Sequence, residues 1–438
     1  MEIGVSEPAT KPKRVFFLIG ECSGLRRLVR NETTLPEGAP SVYLPWLGYK
    51  KRGYEVDVFY VGRFKQEGRV LFEGCVIHTI PRPWLSQVLT KLPSRNLKMH
   101  LRVAFENSAL CRSAARVAQT RPPRVVYSLR PVYMCAARRL ADDHRACLIK
   151  RVFGTVLLYP ELTGHKRQRT FAEHLAEKKG LCSPADMTII TNDGSNGAQV
   201  AEILGLPTER CRVWFNGIDK TWTPAPEASA TYRSRIGLLP EHFVLLSLSR
   251  LQWTKRQDRV VRAMELVVRE VPNARLVFAG EGGSRALLQK AVADASLTPY
   301  VKFVGAVPHK DVQTIMGMAD VFLQMNDYSN LGNTLLEAMV CGRTIITWDV
   351  GGTSQVITDN ETGRLLPDPE PDTVARAILE LIKDREKARR LGQNARRFVE
   401  EKLPTWDERV NMEIDLVEDL CARRAAAHAG AAAVVPPA

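Results

Sequence analysis

Short apolar runs, each ended by glycine or a polar turn, recur along the chain and alternate with stretches of helical period. In the first half the runs are Val15–Gly20 (VFFLIG), Glu55–Val61, one within Val70–Ile80, Arg124–Ser128, Cys147–Leu158 and Met187–Thr191. Ser41–Lys51 and Leu97–Gln119 carry the 3.6-residue spacing of helices. In the second half the runs are Phe243–Leu248, Ala274–Ala279, Val301–Val304, Val321–Met325 and Arg343–Asp349. Helical patterns lie between them at Val260–Glu270, Leu287–Ala295, Asp311–Ala319 and Thr334–Cys341, and three more follow after residue 370. Strands alternating with helices predict an α/β fold with two parallel, doubly wound sheets.

The Pro/Ala/Ser-rich stretch Thr223–Ala230 reads as the linker between the halves. The expected division is an N-terminal domain over 14–217, a C-terminal domain over 218–404, a last helix over 405–424 crossing back to the first domain, and a disordered tail over 425–438. Two such halves imply a cleft. In open α/β sheets ligands sit beyond the carboxyl ends of the strands.

One stretch concentrates the chemistry. From Ala319 to Gly352 the chain reads as strand, polar loop, short helix, strand and Gly-Gly. A loop that opens a helix presents free backbone N–H groups where the helix dipole favours anions. Glu337 is the odd residue there, a carboxylate among Leu335, Leu336, Ala338 and Met339. It either reaches solvent or accepts hydrogen bonds from a ligand. Arg250 and Lys255 follow directly on the run Phe243–Leu248, so both stand at a strand's carboxyl end. A forked guanidinium and a point-charge ammonium together suit a diphosphate. Glu337 suits a sugar's vicinal hydroxyls, as an acidic residue does for ribose in dinucleotide folds. Gly20 and Gly24 after the first run permit close backbone approach to a ligand.

Composition narrows the class. The chain has 438 residues, 45% hydrophobic and 25% charged, which is globular. No run reaches the roughly 20 apolar residues of a membrane span, and no apolar signal core precedes the first strand. The nine cysteines are scattered without C-x-x-C, so neither a zinc site nor a disulfide framework is indicated and a cytoplasmic location is expected. The net charge of +14 is uneven. Residues 1–219 hold 34 Lys+Arg against 20 Asp+Glu, giving +14, and residues 220–438 hold 28 against 28, giving zero. The first half therefore favours an anionic partner: a phospholipid surface, a phosphorylated acceptor or nucleic acid. No nucleic-acid motif accompanies the charge.

Taken in order, SRLQWTK, ARLVFAGEGG, VKFVGAVPHKDV, MADVFL, NLGNTLLEAMVCGRTIIT and DVGG…VITDNETGRLL resemble retaining GT-B-type glycosyltransferases. The group resembled includes bacterial mannosyltransferases and sucrose synthases. The resemblance is specific over about residues 185–405 and architectural before that. It implies two Rossmann-like domains facing across a cleft, and transfer of a sugar from a UDP- or GDP-sugar to a hydroxyl acceptor with retention. It implies that Arg250 and Lys255 bind the donor diphosphate and stabilise the leaving nucleotide without a metal or other cofactor. It implies that Glu337 binds ribose, that backbone up to Gly305 meets the base, and that the segment Ser329, Asn330, Leu331, Gly332, Asn333, Thr334 contacts the donor sugar or phosphate. Gly24 would approach the donor from the N-terminal side.

The chain departs from the family's pattern in three places. Ser329 stands where the first Glu of the E-x7-E motif would fall, with Asp327 or Asn330 as substitutes for that contact. Gln355 stands for a common Glu, and Phe153-Gly154 for His-Gly, with His165 nearby in a loop. Three readings stay open: transfer to an anionic, lipid-linked or polysaccharide acceptor with peripheral membrane contact through the basic half, transfer to a soluble metabolite, and a nucleotide-sugar-binding protein without turnover.

Overall fold

In this computed structural model, residues 13–34, 36, 40–84, 95–158, 174–328 and 331–433 are described. Ser329, Asn330 and His165 lie outside them.

Most of the apolar runs become strands buried on both faces, as parallel sheets covered by helices require, while the edge strands are partly exposed. The first sheet contains β1 (Arg14–Ile19), β2 (Glu55–Gly62), β3 (Gly68–Phe72), β4 (Cys75–Pro81), β5 (Val125–Ser128), β6 (Cys147–Val152), β7 (Met187–Thr191) and β8 (Cys211–Trp214). Their order is β3-β4-β2-β1-β5-β6-β7-β8. The second sheet contains β9 (Phe243–Leu248), β10 (Ala274–Ala279), β11 (Val301–Gly305), β12 (Val321–Gln324), β13 (Thr344–Trp348) and β14 (Arg364–Leu366), in the order β11-β10-β9-β12-β13-β14. Both sheets are parallel except for β3, which runs antiparallel to β4. The order reverses at β1 in one sheet and at β9 in the other. Ligand crevices form at such switch points.

The structure corrects the sequence reading in three places. The single strand expected within Val70–Ile80 is a hairpin, because Glu73 and Gly74 both take positive φ and turn the chain. The expected linker Thr223–Ala230 is partly helical: helix Pro226–Arg235 starts in it, with Pro226 in the first turn, where its missing N–H costs nothing. The last helix, Trp406–Ala433, runs past residue 424 into the expected disordered tail. Alanine is the best helix former, and the first proline comes only at position 436.

Two crossings join the lobes side by side. The backbone N–H of Ile218 donates to Pro404 O at 3.0 Å. A Cβ on Gly217 would overlap the Trp406 backbone, so only glycine lets the strands touch. The last helix then packs on the first lobe. Val410, Ile414, Val417 and Cys421 enter the core around Trp46 and Tyr49, and a Cβ on Gly48 would overlap Val410. Glu413 is buried between Arg151 (3.3 Å) and Arg409 (3.1 Å). The Nε of Arg409 donates to Phe215 O at 3.0 Å, which ties the helix to the first crossing.

Candidate active site in the cleft between the lobes

The second lobe presents Arg250 and Lys255 on a loop clamped from below. After β9 the N–H of Ser249 donates to Ala279 O and that of Leu251 to Glu281 O, both at 3.0 Å. Gly280 and Gly282 permit this: a Cβ on either would overlap the carbonyl of Ser249 or Leu251. Gly280 also has a φ of 137°, which disfavours any side chain. The side-chain amide of Gln257, itself buried, donates to Ser249 Oγ at 2.9 Å and Arg250 O at 3.1 Å. The loop is therefore held by backbone and amide contacts, which leaves the two cations to face outward.

Arg250 is exposed and Lys255 half-buried on the short turn Trp253–Lys255. Burial, then the neighbouring Arg250, lower the Lys255 ammonium to about 8, while Asp193 of the first lobe opposes them. The two cations are thus neighbours and look across at the loop after β7. Among the described residues neither is held in an ion pair. A site that strains its own ammonium in this way favours an arriving anion.

Three contacts bring the first lobe's loop 192–194 onto the second lobe. The N–H of Leu331 donates to Asp193 O at 3.2 Å and that of Gly352 to Gly194 O at 3.3 Å. The side chain of Asn192 donates to Gln355 Oε1 at 2.7 Å. A Cβ on Gly351 would overlap Gly194 O, and one on Gly154 would overlap the Asp193 carboxylate. Gln355 is thus part of the lobe contact, while Gly154 packs under Asp193 within the first lobe. Asp193, Asn192 and Tyr328 were not singled out by sequence reasoning. The only signal for Asp193 was its polar turn, TNDGSNG, after an apolar run.

The loop before helix Asn333–Val340 is only partly as expected. Leu331 is buried and its N–H is taken by Asp193 O, so in this arrangement it is not offered to a donor. Gly332 caps the helix without a side-chain hydrogen bond. Asn333 Oδ1 accepts from Asn216 at 2.9 Å, and Thr334 Oγ1 lies 3.4 Å from Gln324 Oε1. Asp327, expected as a substitute for the missing acid, is buried between Arg256 (3.1 Å) and Arg259 (2.9 Å) and is spent on that ion pair.

Glu337 pairs with His309 Nε2 at 3.4 Å in a crevice with Asp219, Trp222 and Asn333. Arg250 and Lys255 do not line that crevice. The His309 imidazolium is favoured by this hydrogen bond, against desolvation. Gly305 ends β11 at a φ of 80°, and its carbonyl accepts from Gly280 N–H at 2.7 Å, close to the Arg250 loop. Gly24 is buried inside helix Ser23–Val29, past the carboxyl end of β1 in the first lobe. The structure thus joins Arg250, Lys255, Leu331 and Gly305 around one loop system. Glu337 and Asn333 stand beside the crossing between lobes.

Residues 229–398 match the family model described as "Glycosyl transferases group 1". Over that stretch, 170 of the chain's 438 residues, the chain is similar to the group 1 glycosyltransferases. It is 30% identical over 221 residues to a GDP-mannose-dependent alpha-(1-6)-phosphatidylinositol monomannoside mannosyltransferase of Mycolicibacterium smegmatis, covering 49% of this chain and 56% of that one. It is 26% identical over 328 residues to the putative glycosyltransferase EpsD of Bacillus subtilis, covering 70% and 81%. This GT-B chain spans about half the length of the mannosyltransferases it matches. Sucrose-phosphate synthase from Thermosynechococcus elongatus superposes with a TM-score of 0.71 at 19% identity, covering 94% and 100%. Anabaena HepE in complex with UDP and glucose superposes with a TM-score of 0.67 at 17% identity, covering 92% and 99%. At those identities the superpositions show the GT-B fold. No helix among the described residues is long and apolar enough to cross a membrane.

Proposed function

We propose that the protein transfers a sugar from a nucleoside diphosphate donor, a UDP- or GDP-sugar, to a hydroxyl acceptor with retention of anomeric configuration. The observation that carries this reading is the pair Arg250 and Lys255, free of ion pairs among the described residues, at the carboxyl end of the central strand of a GT-B lobe. Negative charge develops on the departing diphosphate, and fixed cations placed there lower the barrier without a metal. The relatives' dependence on GDP-mannose and the UDP bound by HepE support this donor class. From the first lobe, Asp193 acts on Lys255 electrostatically. The acceptor would enter over the first lobe, whose excess charge of +14 suits an anionic one, at a membrane face or in solution.

A second reading, nucleotide-sugar binding without turnover, is favoured by one observation. Asp327 is engaged by two arginines and does not replace the acid that Ser329 lacks. Thermal-shift measurements with UDP, GDP, ADP and CMP, followed by donor hydrolysis assays with the best base, separate the two. The transfer reading expects stabilisation by UDP or GDP and slow release of free sugar. Stabilisation with no sugar released, with or without acceptors, supports the second reading. No stabilisation by any nucleotide removes both.

A further inference from the structure

A second charged cluster lies on the first lobe, at the carboxyl ends of β1, β4 and β5. Glu21 follows β1 directly and pairs with Arg26, with Arg82 at 3.0 Å and, more loosely, with Arg63 at 3.8 Å. Arg82 follows β4 and its Nε also binds Glu106 at 2.7 Å. Glu106 is fully buried in helix Arg95–Ala118, accepts from Tyr133 Oη at 3.0 Å and has Arg102 Nε at 3.7 Å. A Cβ on Gly20 would overlap Tyr133 Oη, so the β1 loop is moulded onto this network.

The charges do not balance. Four guanidinium groups meet two carboxylates, an excess of two positive charges. Arg82 is mostly buried and spent on both carboxylates, whereas Arg26, Arg63 and Arg102 are 38%, 74% and 42% exposed. The Nε atoms of Arg26 and Arg102 are buried without a hydrogen-bond partner. An orphaned buried donor on a charged group is a standing cost, relieved when an oxygen reaches it. A small swing of these part-exposed side chains brings those donors to a ligand. Forked guanidinium groups bind oxyanions bidentately, and a phosphomonoester carries about −1.5 to −2 at neutral pH, which matches the excess.

We propose that Arg26, Arg63 and Arg102, braced by Glu21, Arg82 and Glu106, form a binding site for a phosphate group carried by the acceptor. The proposal rests on the cleft being the place of sugar transfer, and it names the acceptor's chemistry on the first-lobe side. Arg82 and Glu106 are positioning residues. The three outer arginines touch the phosphate.

The test is a calorimetric titration of the full chain with inorganic phosphate. It is run in an Arg250→Ala, Lys255→Ala background, so that the donor cations do not take the ligand. The Arg26→Gln, Arg102→Gln pair is expected to bind phosphate about tenfold more weakly or worse, as for loss of a hydrogen bond to a charged group. The Arg26→Lys, Arg102→Lys pair keeps the charges but loses the forks, and falls between. Phosphate affinity equal to the parent in the Gln pair overturns the proposal. If the Gln pair does not fold, equality in the Lys pair overturns it. The source of the phosphate is read by repeating the titration with glycerol phosphate and with vesicles of phosphatidic acid in phosphatidylcholine. Arginine-dependent binding to only one of them assigns a soluble or a lipid acceptor. UDP or GDP thermal shifts of the Gln pair in the native background stay at the wild-type value. Failure of the native chain to bind any nucleotide would count against sugar transfer and leave the phosphate result standing.

Discussion

The loops after β9 and after β1 each follow a strand's carboxyl end, and both carry arginine, but they treat it differently. On the second lobe Arg250 and Lys255 are left without ion pairs among the described residues, and burial drives the lysine down to about 8. On the first lobe Arg26, Arg63, Arg82 and Arg102 are laced to Glu21 and Glu106. Unpaired cations in a crevice are held ready for a charge that arrives with the substrate. Laced cations hold loops in place and leave only their surplus for a ligand. The overall charges agree with this: the second half is neutral around its two free cations, and the first half carries the whole excess.

The largest effect is expected where the last helix locks onto the first lobe. Glu413→Gln leaves Arg151 and Arg409 buried without their carboxylate, and about 3–5 kcal/mol of stability should be lost. Urea denaturation checks this, and an unchanged midpoint would mean that the helix is not needed to hold the lobe. Next, Lys255→Ala should lower kcat/KM by about 100-fold, as for one charge-stabilising donor, with the melting temperature at or above wild type, because a strained ammonium is removed. A loss of folding instead would make Lys255 a scaffold residue like Arg82.

A smaller effect follows from the same lysine. A bound diphosphate raises the Lys255 pKa above its free value of about 8, so binding takes up a proton. Nucleotide affinity should therefore fall as pH rises through 8, by less than about tenfold per pH unit, the limit for a single proton. The slope should vanish in Lys255→Ala. The smallest expected effect is local. Glu337 holds the His309 pKa up, so that pair stabilises the fold fully below the unfolded histidine value of about 6.5 and loses its contribution as pH rises through the folded value. Glu337→Gln should bring the His309 titration, followed by NMR, back down. An unmoved titration would separate Glu337 from His309 in solution.

Much of the second lobe was legible along the chain because its signals are local. Phe243–Leu248 is a buried strand on apolar continuity alone, and placing Arg250 and Lys255 at its end needs only the strand's direction. Of the glycines of GEGG, Gly280 and Gly282 are close approaches to the Arg250 loop, whereas Gly283 has open space around it. The first lobe was less legible. The β3–β4 hairpin was missed because its turn depends on two positive-φ residues, Glu73 and Gly74, inside an otherwise apolar stretch. The helix Pro226–Arg235 was missed because its composition is that of a linker. Asp193 carries no motif, and its role comes from lying under Leu331 and opposite Lys255, 62 residues away in sequence.

By itself the sequence determined the α/β class, the two-sheet plan and the position of Arg250 and Lys255 at a strand's carboxyl end, because periodicity and strand-end position are properties of consecutive residues. Only the tertiary structure decided which groups those cations meet, that Asp327 is spent on Arg256 and Arg259, that Glu337 answers to His309, and that Glu21 and Glu106 gather four arginines. Apart from Glu21–Arg26 and Arg102–Glu106, those pairings join residues 24 to 71 positions apart. Their energies come from burial and mutual distance, which exist only once the chain has folded.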